Sequence, residues 1–154
     1  MTNIATTIDA YAQGPQLLRE VIERAPESSW DATPIAGKWS IRQVVCHLTD
    51  SEIMYTERIK RVLVEEDPVV MEADPNLHVP ALTRPERSLP AELAVIEAVR
   101  AHMTPVLRSL SEAHFERTVR HSLEGRLSLQ TMLERTTAHL PHHLAFIEQK
   151  LRVL

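Results

Sequence analysis

The sequence predicts an all-α protein, a four-helix bundle, on three observations. Apolar residues recur at spacings of three and four along most of its 154 residues. Glycine and the aromatic residues are scarce, and five of the ten prolines fall between Asp67 and Pro90 instead of inside the periodic segments. A first helix is expected from about Ile4 to Ala25, with Ile4, Ile8, Tyr11, Leu18 and Ile22 as its core stripe and a bend at Gly14-Pro15. SSWDATPIAGK then reads as a connection. Ser40 has the character of an N-cap with Gln43 as its capping-box partner. Ile41, Val45, Leu48, Tyr55, Ile59 and Val62 follow on one face of a second helix that runs to about Glu66.

Pro68, Pro75, Pro80, Pro85 and Pro90 exclude a regular helix after that point and predict a long surface crossover from Asp67 to Ser88, with no β-sheet anywhere in the chain. Pro90 suits the first turn of a third helix carrying Leu93, Ile96, Val99, Met103 and Leu107, bent at Pro105. Residues Ser111 to Arg126 form a second connection. Gly125 marks a turn, and Ser128 caps a fourth helix that ends near Arg152. A long connection between helices two and three lets them run parallel, so the expected topology is up-down-down-up in a single domain spanning residues 1–154.

Composition excludes several classes of function. The chain is 44% hydrophobic and carries a formal net charge of -4, and its 17 lysines and arginines are spread along its length. No basic face for nucleic acid or an anionic membrane results, and no apolar run approaches the roughly 20 residues that span a bilayer. With no N-terminal secretory pattern and a single cysteine, Cys46, the expected location is the reducing cytoplasm.

The chemistry-bearing feature is TTAHLPHHLAFIEQ, residues 136–149. On a wheel of about 100° per residue, His139 and His143 share a face beside the stripe of Leu129, Leu133, Leu140, Ile147 and Leu151, whereas His142 points to the far side. A four-residue spacing lets two imidazoles bind one divalent ion. An arbitrary pair of this kind is more often one satisfied core histidine and one surface histidine. His47, about two turns into the second helix and at the edge of its apolar stripe, is the best third ligand, because antiparallel packing brings it to a similar height.

The strings GKWSIRQVVCHLTDSE, RIKRVLVEEDP, EGRLSLQTML and HLPHH resemble the DinB-like superfamily, which includes metal-dependent hydrolases and bacillithiol or mycothiol S-transferases. In that family a Trp-Ser pair opens the second helix, a histidine follows about two turns later, and a His-x-x-x-His pair lies on the fourth. These features fall on Trp39 and Ser40, on His47, and on His139 and His143. The resemblance implies that His47, His139 and His143 form a site for one divalent metal ion: zinc, nickel, iron or manganese. It also implies a small-molecule substrate and a homodimer. Pro141 departs from the polar residues usual between the last two histidines and is expected to kink the helix, with a risk of swinging His142 inward.

Three histidines leave a coordination position open, so a bound water could reach a pKa of about 7 and a bound thiol could lose its proton. The leading expectation is a thiol S-transferase acting on a small electrophile with a low-molecular-weight thiol. The alternatives are a hydrolase and a metal-binding interaction protein without turnover. Glu52 lies within the apolar stripe of its helix and is a candidate to support a ligand or act as a base, or else to form an internal ion pair. Asp50 reads as solvated, Cys46 as packing, and Trp39 as packing over the helix start.

Overall fold

The computed structural model describes residues 3–154. Four long helices build a bundle: α1 (Ile4–Ile22), α2 (Ile41–Val64), α4 (Leu89–Arg108) and α6 (Leu129–Leu151). The connections hold the short helices α3 (Pro75–Leu82) and α5 (Glu112–Phe115) and the strands β1 (Val69–Val70), β2 (Thr118–His121) and β3 (Gly125–Ser128). The starts match the local chemistry. Ser40 accepts from the Gln43 amide while the Gln43 side chain caps Ser40 in return, and Ser88 and Ser128 cap α4 and α6.

Two apolar clusters fill the bundle and fix its topology. One joins Leu18 and Ile22 late in α1, Ile41 and Val45 early in α2, Leu89 and Leu93 early in α4, and Leu144 and Ile147 late in α6. The other joins Ile8, Ile59, Met103, Leu107, Leu129 and Leu133, the opposite ends of the same helices. Hence α2 and α4 run parallel to each other and antiparallel to α1 and α6, an up-down-down-up bundle. Among the described residues, no helix is long and apolar enough to cross a membrane.

The connections depart from expectation. Residues 67–90 contain α3, because Asp74 accepts from the Asn76 amide as an N-cap and Pro75 stands at the first helical position, where its missing N–H costs nothing. Pro80 withholds only the hydrogen bond to the carbonyl of exposed Asn76, which water can satisfy. The expectation of no β-sheet is overturned by a small sheet of order β1-β2-β3, parallel in its first pair and antiparallel in its second. Its turn uses Gly125 at φ 78°, and the alternation of Val119 and His121, both buried, is the period-two signal of strand β2. Val70 and Val119 close the second apolar cluster.

One buried cation ties all four bundle helices together. Arg100 on α4 is 1% exposed. It forms an ion pair with Glu52 on α2, and it donates to the Tyr11 carbonyl on α1 at 2.9 Å and to the Thr136 carbonyl on α6 at 3.1 Å. Its guanidinium also lies 4.5 Å from the Tyr11 ring centroid. Gly14-Pro15 serves this contact. The proline ring at 15 has no N–H to give the Tyr11 carbonyl four residues earlier, so that carbonyl is free for Arg100, and a Cβ at Gly14 would collide with Arg100 Nη1.

Three variants test this linkage by chemical denaturation. Gly14→Ala should destabilise the fold by about 1–3 kcal/mol, because the pinned guanidinium cannot yield. Arg100→Met should cost about 3–5 kcal/mol by leaving Glu52 buried and unpaired, and the double variant Arg100→Met/Glu52→Leu should cost less than Arg100→Met alone. A Gly14→Ala protein as stable as the parent would contradict the linkage.

Candidate metal centre

The helix capped at Ser40 and the helix capped at Ser128 run antiparallel, and this brings His47 to the level of His139 and His143. His47 Nε2 and His139 Nε2 stand 3.1 Å apart. The three rings form a triangle with centroid separations of 4.9, 4.9 and 4.6 Å and interplanar angles of 77°, 70° and 85°. One nitrogen from each ring lies within 4.8 Å of the others. Trp39 stacks on His143 at 6.2 Å and 11°, and tilts against His47 at 5.1 Å, so it walls the cluster at the start of α2.

This donor set fits a divalent cation. Two nitrogens bound to one ion at about 2.1 Å, with an angle of about 90–110° between them, stand about 3.0–3.4 Å apart. The 3.1 Å between His47 and His139 falls in that span. The Nδ1 atoms of His139 and His143 are buried without hydrogen-bond partners, and His139 Nε2 meets another candidate ligand, His47 Nε2. The rings are also held in the neutral form a metal requires. Burial, followed by the proximity of His143 and His47, pushes the pKa of His139 down to about 3. Burial and then His47 push His143 down to about 4, and burial also lowers His47.

His142 is exposed and outside the triangle, with its ring 4.9 Å from Phe146. Helix α6 runs unbroken through Pro141, without the extra residue per turn that would swing His142 inward. Glu52 is 1% exposed and paired with Arg100, and it is not among the side chains of the triangle. Cys46 is buried, and burial pushes its thiol up to about 11, away from nucleophilic use. The reading of Asp50 as solvated needs correction: it is half-buried and held by Arg87 at 2.9 and 3.1 Å, through an arginine from the crossover that sequence periodicity did not place.

Sequence reasoning also missed α3. That helix lies against α2 and borders, next to His47, an open cavity of about 340 Å³ whose walls include His78. The only available signal was Asp74-Pro75, a cap followed by a first-position proline. His121 belongs to a separate group with Glu72 and Glu124. Its Nδ1 accepts from the Leu123 and Glu124 amides at 3.3 Å and its Nε2 faces Glu72 at 3.2 Å, an arrangement that closes the β2–β3 turn.

Known proteins share this arrangement of helices. A sequence model of the DinB superfamily matches residues 10–147. The chain is 32% identical over 135 residues to a protein of Oceanobacillus iheyensis named "putative metal-dependent hydrolase OB0782", covering 86% of this chain and 77% of the relative. It is 27% identical over 143 residues to "putative metal-dependent hydrolase YfiT" of Bacillus subtilis, covering 92% and 80%. The solved structure of YfiT, described as a probable metal-dependent hydrolase with an unusual four-helix bundle topology, superposes with a TM-score of 0.90 over 97% of this chain and 86% of that one, at 27% identity. A mycothiol-dependent maleylpyruvate isomerase shares the fold at a TM-score of 0.73 and 12% identity, over 94% of this chain and 60% of that one. The chain belongs to the DinB superfamily.

The depressed histidine pKa values set a pH dependence. In the unfolded chain these imidazoles take a proton near a pKa of about 6.5. The folded chain resists until about 4 at His143 and about 3 at His139. Between those limits the unfolded state binds more protons, so the stability they contribute is complete above about pH 6.5 and is lost as the pH falls toward 4. Melting curves of chelator-treated protein should show this fall, with a shallower slope for His139→Leu. An identical slope for the variant and the parent between pH 6.5 and 4 would contradict it.

Proposed function

We propose that this member of the DinB superfamily is a metal-dependent enzyme. His47, His139 and His143 hold one divalent cation through imidazole nitrogens, and a small electrophilic substrate reacts beside it with water or a low-molecular-weight thiol. The observation that carries this reading is the convergence of three neutral imidazoles from two antiparallel helices beside an open, largely apolar cavity. A cation bound there supplies Lewis acidity, which activates a carbonyl or lowers the pKa of a bound nucleophile. Imidazole donors suit zinc, nickel and iron, and hold manganese more weakly. The names of the relatives from Oceanobacillus iheyensis and Bacillus subtilis support water as the nucleophile. A thiol remains the alternative, because the same Lewis acidity serves either.

The protein's own groups have distinct tasks in this reading. The three histidines offer lone pairs without having to shed protons at neutral pH, because burial has already disfavoured the charged forms. Trp39 holds the His47 and His143 rings from one side. Glu52 acts as a positioning residue: it fixes Arg100, which holds the Thr136 carbonyl three residues before His139. A homodimer is part of the proposal, supported by Ile53 and Val64, which are 51% and 83% exposed on α2. Sedimentation that shows only monomer at micromolar concentration would remove that part.

Metal analysis of protein purified without chelators, with calorimetric titration of variants, tests the centre. His47→Ala, His139→Ala and His143→Ala should each weaken binding at least about 100-fold, whereas His142→Ala should leave it within about twofold. A panel of esters and electrophiles, with and without a thiol, should then reveal turnover that disappears on chelation. Full metal occupancy with no turnover across the panel would identify a binding protein and reject the enzyme. Loss of metal in His142→Ala would reject the ligand set.

A further inference from the structure

We propose that His78 is the proton-transferring residue of this site and that the cavity it shares with His47 takes a small ester with an apolar acyl or alkyl body. The proposal rests on the metal-dependent reading above. The cavity of about 340 Å³ is lined by His47 from α2 and His78 from α3, with Ile53, Met54, Val79 and Leu82 among its apolar walls. That volume is at the small end of the roughly 300–1,000 Å³ usual for ligand pockets. Its walls suit a compact, uncharged substrate.

The tautomer of His78 is set by the backbone. Its Nδ1 lies 2.8 Å from the Asp74 carbonyl oxygen, and a carbonyl can only accept, so Nδ1 carries the proton and Nε2 keeps its lone pair. Among the described lining residues, the other ionisable groups are His47, a ligand of the proposed centre, and Asp50. Both oxygens of Asp50 are engaged by Arg87 at 2.9 and 3.1 Å, which leaves it no free role as a base. His78 is exposed, so a proton taken from the site can exchange with solvent.

In ester hydrolysis His78 Nε2 takes a proton from the attacking water as the water oxygen bonds to the acyl carbon. The proton passes to the departing alkoxide oxygen as the ester C–O bond breaks. The products are a carboxylic acid and an alcohol, and His78 returns to its starting form. General acid–base groups of this kind contribute about 10²–10⁴-fold to rate.

The test uses the full-length, zinc-loaded protein, with 4-nitrophenyl acetate as substrate and benzohydroxamate as a probe that binds zinc without turning over. Histidine-detected nitrogen NMR should show His78 as the Nδ1–H tautomer, and its Nε2 resonance should move when benzohydroxamate binds. His78→Asn keeps a donor for the Asp74 carbonyl but has no base at the Nε2 position. It should bind zinc within about twofold of the parent, keep the parent's helical circular dichroism and lose about 100-fold or more in kcat. An Nε2 resonance indifferent to saturating probe, a probe that does not bind, or a His78→Asn protein with the parent's rate would overturn the role of His78 while leaving the metal centre intact. Failure of the parent to bind zinc would overturn the metal reading, and His78 with it.

Discussion

The bundle is organised around one buried guanidinium. Arg100 reaches a carboxylate on α2 and carbonyls on α1 and α6, so a single side chain sets the relative height of all four helices. An isolated buried charge is prohibitive, and the surrounding chain is adapted to avoid one. Glu52 neutralises it, Pro15 leaves the Tyr11 carbonyl free to accept, and Gly14 leaves room for Nη1. Two residues that look like defects in α1 are a socket for a side chain 85 or more positions away, and Thr136 connects that socket to the turn before His139.

The histidine triangle inherits its geometry from this frame. His47 is one turn and a half before Glu52 on α2, and His139 is nearly one turn after Thr136 on α6, so both sides of the centre hang from the Arg100 network. Burial removes the charge from the rings, and the buried Nδ1 atoms of His139 and His143 have no protein partner. The Nε2 atoms of His47 and His139, 3.1 Å apart, are placed where a bound cation would engage both lone pairs. The crossover helix α3 packs against α2 and provides an apolar wall, and a cavity beside His47 is the result.

Much of this was legible in the residues. Ser40, Ser88 and Ser128 mark helix starts because a capping hydroxyl leaves a local signature, and the apolar stripes identify the bundle faces because a helix repeats every 3.6 residues. The wheel separated His142 from His139 and His143 for the same reason. What could not be read was non-local. Nothing near Arg100 announces that Glu52 will pair with it, and nothing near Gly14-Pro15 reveals the arginine they accommodate. The strands escape a sequence reading because an alternation over two to four residues is too short to stand apart from a loop, and α3 does so because prolines signal a break, although one of them sits at a first helical turn.

X-ray absorption spectroscopy of the zinc-loaded protein tests the proposal that His47, His139 and His143 share one divalent ion. The expected spectrum shows one zinc per chain, with nitrogen and oxygen neighbours at about 2.0–2.1 Å and the outer-shell scattering of three imidazole rings, reduced to two rings in His47→Ala. A zinc environment without imidazole scattering, or an unchanged spectrum in His47→Ala, would contradict it.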